Sequence, residues 1–271
     1  MIQDISPKAF HIEYRDIRPN GSERTFCFDG RKVLIKCEGG RYDVPRANEL
    51  EGPKRYLFSV DSEPFFLAEM PGTIPSGCML EDINVFRRRT GDKYLDFCGI
   101  EAYHLSQWYE SSRFCGHCGE KTVHDKKERM LRCPACGSTF YPKISPCIIV
   151  AVTNGDEILL TRYMGRPRDS YALVAGFIET GELPEDAVKR EVMEETGLKV
   201  KNIRYYKSQP WGFSQSLLLG FYAELDGEPA VRADNEELSW AGFVKRDEIP
   251  VEWDDFSLTN ELITRFKNGE T

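Results

Sequence analysis

Residues 176–198 read GFIETGELPEDAVKREVMEETGL, and this stretch decides the reading of the rest. Pro184 suits a first helical turn, Glu185 and Asp186 complement the positive N-terminal end of a helix, and Gly197 stands as its C-terminal cap. The spacing predicts a helix over 184–196. On it Glu191 and Glu195 lie one turn apart on the same face, with Glu194 beside them. Like charges at that spacing weaken a helix by roughly a few tenths of a kcal/mol each unless something binds them, and Arg190, four residues before Glu194, offsets part of the repulsion. A solvated acidic helix with one ion pair accounts for the helix alone; the loop before it argues for more. Gly176 and Gly181 permit a compact turn that brings Glu182 and the backbone carbonyl near Ala175 toward the carboxylate face. Hard oxygen ligands grouped in this way suit Mg2+ or Mn2+, which leave coordination positions for water and substrate phosphates.

Working outward, CIIVAVT at 147–153 is a continuous apolar run suited to a central strand buried on both faces. EILLTRY at 157–163 is its hairpin partner across Asn154-Gly155. SLLLGFYAEL at 216–225 reads as a further strand and FSLTNELITRFKNG at 256–269 as a closing helix. The first hundred residues alternate short strand-like runs, HIEYR at 11–15, KVLIKC at 32–37, YLFSV at 56–60 and PFFLA at 64–68, with turn signals. A helix over 99–110 leads into the first cysteines. Trp108, Trp240 and Trp253 read as core, Arg87, Arg88 and Arg89 as a solvated charge run, and His11, His104, His117 and His124 form no constellation.

Nine cysteines, an odd and unevenly spread set, argue against a complete disulfide framework. Cys115-x2-Cys118-x14-Cys133-x2-Cys136 is instead a structural zinc pattern, since two tight turns aim four thiolates at one ion and leave no open position. A redox pair or an iron-sulfur cluster is the competing reading. Lys121, Lys126, Lys127, Arg129 and Arg132 lie in this ribbon and read as a solvated basic face. Cys27, Cys37, Cys78, Cys98 and Cys147 read as small buried hydrophobes. The net charge of -8 disfavours a broad polyanion-gripping surface, so a phosphate ligand needs metal ions or a few placed cations. No apolar run reaches the roughly 18–20 residues of a membrane span and the N-terminus lacks a signal-peptide pattern, so the expectation is a cytoplasmic protein.

Residues 176–198 fit the Nudix box, GX5EX7REUXEEXGU with U aliphatic, at Gly176, Glu182, Arg190, Glu191, Val192, Glu194, Glu195, Gly197 and Leu198. The chain thus resembles the Nudix hydrolases, which implies an α/β fold, a mixed sheet sandwiched between helices, and metal-dependent hydrolysis of a nucleoside diphosphate linked to another group. A ribbon opening FCGHCG, then YPKISPCIIV, the box, and SQPWGFSQS at 208–216 narrow the resemblance to the NADH pyrophosphatase subfamily. That resemblance implies a metal set of Glu191, Glu194, Glu195, Ala175 through its carbonyl, and a distal glutamate aligned with Glu236, one residue from Glu237. It implies Glu191, Glu194, Glu195 and Arg190 as the catalytic group, Arg190 orienting the glutamates. Substrate contacts carried over in the same way are Glu128, Tyr141, Gln209, Pro210, Trp211, Gly212, Phe213, Ser214, Gln215 and Ser216. Phe177 joins them as a ring able to stack on a flat base. Thr259 stands where the family's closing-helix pattern has a substrate-contacting alanine. The subfamily reads SQPWPFPxS where this chain has Gly212 and Ser214 in place of two prolines; restoring both is expected to pre-order this segment and favour NADH over ADP-ribose.

The organisation expected is a β-rich N-terminal domain over 1–110, a zinc ribbon over 111–140 and a Nudix domain over 141–271. The resemblance implies cleavage of NAD(H) to nicotinamide mononucleotide and AMP with structural Zn2+ and catalytic Mg2+ or Mn2+, removal of NAD caps from RNA as a further substrate class, no membrane, and a homodimer. ADP-ribose or a dinucleoside polyphosphate is the alternative substrate. A non-catalytic zinc-ribbon nucleic-acid binder or sensor is the reading from another class.

Overall fold

The computed structural model describes residues 1–88, 92–165, 171–234 and 237–271. They form two compact units. One comprises Ile2–Lys143 together with Gly212–Ser214; the other comprises Met1, Ile144–Trp211 and Gln215–Thr271.

The second unit is a six-stranded mixed sheet between two helices. Its strands run in the order Val200–Trp211, Ser216–Leu225, Ser145–Asn154, Glu157–Tyr163, Leu238–Lys245, with Val174–Phe177 pairing Ser145–Asn154 as well. The central strand is parallel to Ser216–Leu225 and antiparallel to both other partners. Its apolar run serves both faces through the two-residue period of a strand. Ile148, Val150 and Val152 pack with Ala187, Val188 and Val192 of the helix Pro184–Thr196, here α2. Ile149 and Ala151 pack with Leu258, Leu262, Ile263 and Phe266 of Leu258–Lys267, here α3. The expected central strand, hairpin and both helices are all present, with α2 on the bounds read from sequence.

In the first unit, the strands Phe10–His11, Lys54–Val60, Glu63–Ala68 and Thr25–Phe26 form one sheet. A second sheet has Phe28–Asp29, Arg41–Asp43 and Cys78–Asp82 arranged with Lys32–Glu38. A chain of ring contacts runs Phe10, Phe58, Phe65, Phe26, Phe28, Tyr103 and so reaches α1, Lys93–Ser111. The helix begins six residues before the expected Gly99. Glycine inside a helical pattern reads as a weak point, but here a Cβ on Gly99 would lie 2.3 Å from the Phe86 ring, so glycine is needed by the packing and the helix runs through it. Of the run HIEYR only His11 is strand, in Phe10–His11. Cys27, Cys98 and Cys147 are buried as expected, whereas Cys37 is exposed and Cys78 half-buried near an open sheet end; Trp253 is likewise exposed rather than core. No helix among the described residues is long and apolar enough to cross a membrane.

Candidate active site

α2 begins with Pro184 at its first turn, Glu185 and Asp186 beside it, and ends on Gly197 at φ 70°, the left-handed cap a β-carbon disfavours. This orients Arg190 as the hub of the site. Its Nε and Nη2 donate to the two oxygens of Glu182 at 2.7 and 2.8 Å, a bidentate pair. Its Nη1 donates to Glu191 Oε1 at 2.7 Å and Glu194 Oε2 at 3.0 Å, and Nη2 also donates to the Phe177 carbonyl at 2.9 Å. One guanidinium therefore fixes three carboxylates and the loop. It pulls the Glu182 carboxyl down to about 2, and the carboxylates in turn hold Arg190 protonated.

Glu191 lies against the backbone of Gly176, where a Cβ would come within 1.9 Å of the Glu191 carboxyl carbon. The first glycine of the motif thus leaves room for the Glu191 carboxyl in this position, rather than serving a left-handed backbone. Burial pushes the Glu191 carboxyl up. Glu195 behaves differently: it is only 3% exposed, and among the described residues neither carboxylate oxygen has a partner within hydrogen-bond geometry. Burial first, then the charges of Glu191, Glu237 and Asp234, raise it to about 8, with the nearby Ala175 backbone N–H, short of a formed hydrogen bond, pulling the other way. A buried carboxylate left unpartnered among others is costly unless a cation neutralises it. By donor chemistry the set suits a divalent cation, with Glu195 buried, Glu191 half-buried, Glu194 59% exposed at the rim and Ala175 adjoining on the strand Val174–Phe177, although among the described residues only the four cysteines bring their ligand atoms within 4.8 Å of one another.

Glu236 lies outside the described residues. Asp234 was not singled out from sequence, although the acidic run 234–237 carries the signal. Its N–H meets the Glu195 carbonyl at 3.2 Å, and its Oδ1 accepts from the N–H groups of Glu237 and Leu238, both at 3.1 Å.

The four cysteine sulfurs lie within 4.8 Å of one another, with separations of 3.4, 3.5 and 3.6 Å among the pairs in contact. A tetrahedron with Zn–S bonds of about 2.3 Å has edges of about 3.8 Å, so the set fits zinc. The two turns are built alike. Gly119 at φ 77° and Gly137 at φ 78° donate to the carbonyls of Cys115 and Cys133 at 2.9 and 3.0 Å. Only a residue free to enter the left-handed region closes such a turn without strain. Within the basic ribbon, Arg129 is committed to structure: its guanidinium donates to the carbonyls of Ile12 and Leu57 and lies over Tyr14.

The substrate-contact candidates fall into separate groups. Tyr141 donates to Glu128 Oε1 at 3.2 Å in the first unit, both residues exposed. The Phe177 ring is exposed, and Thr259 is half-buried on the first turn of α3. Gln209 is fully buried; its amide donates to the Phe256 carbonyl at 2.9 Å and accepts from the Leu258 N–H at 2.7 Å, tying the strand to α3. Pro210 and Trp211 end that strand, Pro210 opposite Leu217 and Trp211 opposite the buried Ser216. Trp211 meets Phe256 edge-on, ring centroids 5.8 Å apart. Gly212–Ser214 form a single 3-10 turn, and Gln215 follows at φ 56° with its carbonyl accepting from the Ser145 N–H at 2.8 Å.

Gly212 corrects an expectation. A Cβ there would sit 2.6 Å from the Ile100 carbonyl oxygen and 2.8 Å from its Cγ2, so proline has no room and Gly212→Pro would displace the turn rather than pre-order it.

Residues 143–265, a little under half of the chain, match the NUDIX domain family, and the fold and the carboxylate site agree with that match. Residues 110–141 match the NADH pyrophosphatase zinc ribbon domain, which narrows the placement. Similar relatives include the NAD-capped RNA hydrolase NudC of Citrobacter koseri, 46% identical over 147 residues, covering 54% of this chain and 57% of that protein. The protein of the same description from Pectobacterium carotovorum is 44% identical over 146 residues, covering 54% and 56%. The aligned stretch thus spans little more than half the length of these curated relatives. Among solved structures, a NUDIX hydrolase from Nitrosomonas europaea is 22% identical and superimposes with a TM-score of 0.50 over 58% of this chain and 90% of that one, a likeness of fold.

Proposed function

We propose that this chain is a metal-dependent pyrophosphohydrolase that cleaves NAD(H) to nicotinamide mononucleotide and AMP, and that the NAD cap of RNA is a second substrate of the same site. The observation that carries the reading is Glu195, a buried carboxylate with both oxygens unpartnered beside a set of glutamates already organised by Arg190. The zinc ribbon and the relatives described as NAD-capped RNA hydrolases support the choice of substrate.

Hydrolysis adds water across one phosphorus–oxygen bond of the diphosphate, so the attacked phosphorus carries oxygens whose negative charge repels a nucleophile. Mg2+ or Mn2+, held by Glu191, Glu194 and Glu195 with Ala175 and the acidic run at 234–237 assisting, supplies charge neutralisation and an acidified water. The residues of the chain do the positioning. Arg190 holds Glu191 and Glu194 at fixed separation, so they need not reorganise when the diphosphate arrives. Glu182, kept ionised by Arg190, holds the loop by accepting from the Glu179 N–H at 2.9 Å. Glu128 and Tyr141, carried over from the resemblance as substrate contacts, are hydrogen-bonded to each other within the first unit. The exposed Phe177 ring offers a stacking face. A homodimer and a cytoplasmic location belong to the same reading and are checked by light scattering and cell fractionation.

The test is turnover of NADH, NAD, ADP-ribose and NAD-capped RNA in Mg2+ or Mn2+, with products identified by mass. Release of AMP and nicotinamide mononucleotide from NADH is expected. Cleavage of ADP-ribose with none of either nicotinamide dinucleotide would falsify the substrate assignment.

A further inference from the structure

Nothing so far gives the first hundred residues a part in the reaction. The hairpin between Val200–Trp211 and Ser216–Leu225 turns through Gly212–Ser214, and this turn belongs with the N-terminal unit. Two neighbouring pairs of residues hold it. On α1, the Ile100 backbone oxygen and side chain lie where a Cβ of Gly212 would be, at 2.6 and 2.8 Å. On the short turn Ile83–Arg87, the Arg87 guanidinium lies over the Phe213 ring, 4.5 Å from its centroid. The pairs are locked to each other one residue away, where Gly99 leaves room for the Phe86 ring. Phe86 is fully buried and meets Tyr42, so this grip is set in the N-terminal core rather than on a free loop. The 83–87 turn is capped by Asp82, which accepts from the Asn84 N–H at 2.9 Å.

We propose that Phe86-Arg87 and Gly99-Ile100 together position the Gly212-Phe213 turn, which makes Arg87 a positioning residue for the nicotinamide side of the substrate. The inference rests on the reading above, in which 209–216 walls the nicotinamide. It explains why glycine replaces proline at 212: the tip is restrained from outside by packing, so internal rigidity is not needed there. It also explains Arg87, which in sequence was one of three consecutive arginines and indistinguishable from a solvated run. A guanidinium over an aromatic face is a modest, geometry-specific attraction. Its loss should therefore leave the fold intact and loosen the hold on the Phe213 ring.

The experiment compares wild type, Arg87→Ala and Arg87→Lys on NADH and on ADP-ribose, which shares the diphosphate and adenosine but has no nicotinamide. The same three proteins are followed by hydrogen exchange of the peptide covering 211–216. For Arg87→Ala, KM for NADH is expected to rise about threefold to tenfold at nearly constant kcat, with ADP-ribose kinetics unmoved and exchange at the tip faster. Arg87→Lys, which keeps a cation over the ring, is expected to recover part of both changes. Equal losses on the two substrates, or unchanged KM for NADH, overturn the positioning role. If the wild type does not cleave NADH, the functional reading fails first, and exchange alone decides the grip: tip exchange unaltered in Arg87→Ala overturns it, faster exchange upholds it.

Discussion

The cysteine quartet and the glutamates proposed to hold the catalytic metal are built on opposite plans. In the ribbon, each pair of cysteines arrives with its own glycine and its own backbone hydrogen bonds, and the four sulfurs converge within 4.8 Å of one another. In the Nudix unit, three of the glutamates lean on a single arginine while the fourth, Glu195, is buried with no partner. On the proposed reading, the first set serves stability through its zinc, whereas the second concentrates uncompensated charge where the cation and diphosphate are to be received.

Breaking the ribbon is accordingly chiefly a folding event. Structural zinc carries about 10 kcal/mol or more of folding free energy in isolated zinc peptides. Cys133→Ser is expected to abolish the zinc found by elemental analysis and to lower Tm sharply, whereas any molecules that remain folded keep their pH profile. Retention of full zinc content in the mutant would contradict a four-thiolate shell.

Breaking the Nudix cluster has the opposite signature. Glu195→Gln removes a buried charge that lacks a partner, so Tm without divalent metal should hold or rise. Turnover should fall about a hundredfold to a thousandfold, equivalent to about 3–4 kcal/mol of barrier, and the Mg2+-induced rise in Tm should vanish. A mutant that keeps both its activity and its Mg2+-induced rise would remove Glu195 from the metal site.

How much of this was legible in sequence follows from where the signal is stored. α2, its caps, the central strand and the cysteine quartet are local patterns, each decided by residues within a turn or two of one another, and they were read on or near their observed bounds. The N-terminal unit is decided by contacts between distant residues. Gly99 needs Phe86, Gly212 needs Ile100, and Arg87 needs Phe213; none of these pairings leaves a periodic trace. The same holds inside the site. That Arg190 offsets Glu194 could be read from the i,i+4 spacing, but its bidentate pairing with Glu182 across the loop could not.

Gly176 tests the contrast on the backbone side. Alanine there would place a carbon 1.9 Å from the Glu191 carboxyl carbon, and a strand otherwise accepts alanine readily. Gly176→Ala is expected to fold, with apo Tm changed little, because Glu191 can swing toward solvent. Activity should fall about tenfold to a hundredfold, or about 1.4–2.7 kcal/mol, and more Mg2+ should be needed for half-maximal rate. Loss of activity with unaltered metal dependence would mean that the glycine serves the substrate rather than Glu191.

The smallest expected effect separates burial from clustering. Glu101, on α1, also has a buried carboxyl oxygen without a partner, and burial alone raises it from 4.5 to about 7. Glu195 rises to about 8 because other carboxylates add to burial. Glu101 is therefore a control carboxyl: desolvated, but not part of a ligand set. Since its folded pKa lies above its unfolded value, its favourable contribution is complete below about pH 4.5 and is lost as pH rises through about 7. Glu101→Gln should accordingly gain stability relative to wild type on going from pH 5 to pH 8, by about 2 kcal/mol, the neutral amide's own unmet hydrogen bonds costing the same at both pH values. It should keep the Mg2+-induced rise in Tm that Glu195→Gln loses. Thermal melts at the two pH values, with and without Mg2+, make the comparison. If both variants lose the metal response, the response reports general electrostatics, and the distinction between a desolvated carboxyl and a ligand cluster fails.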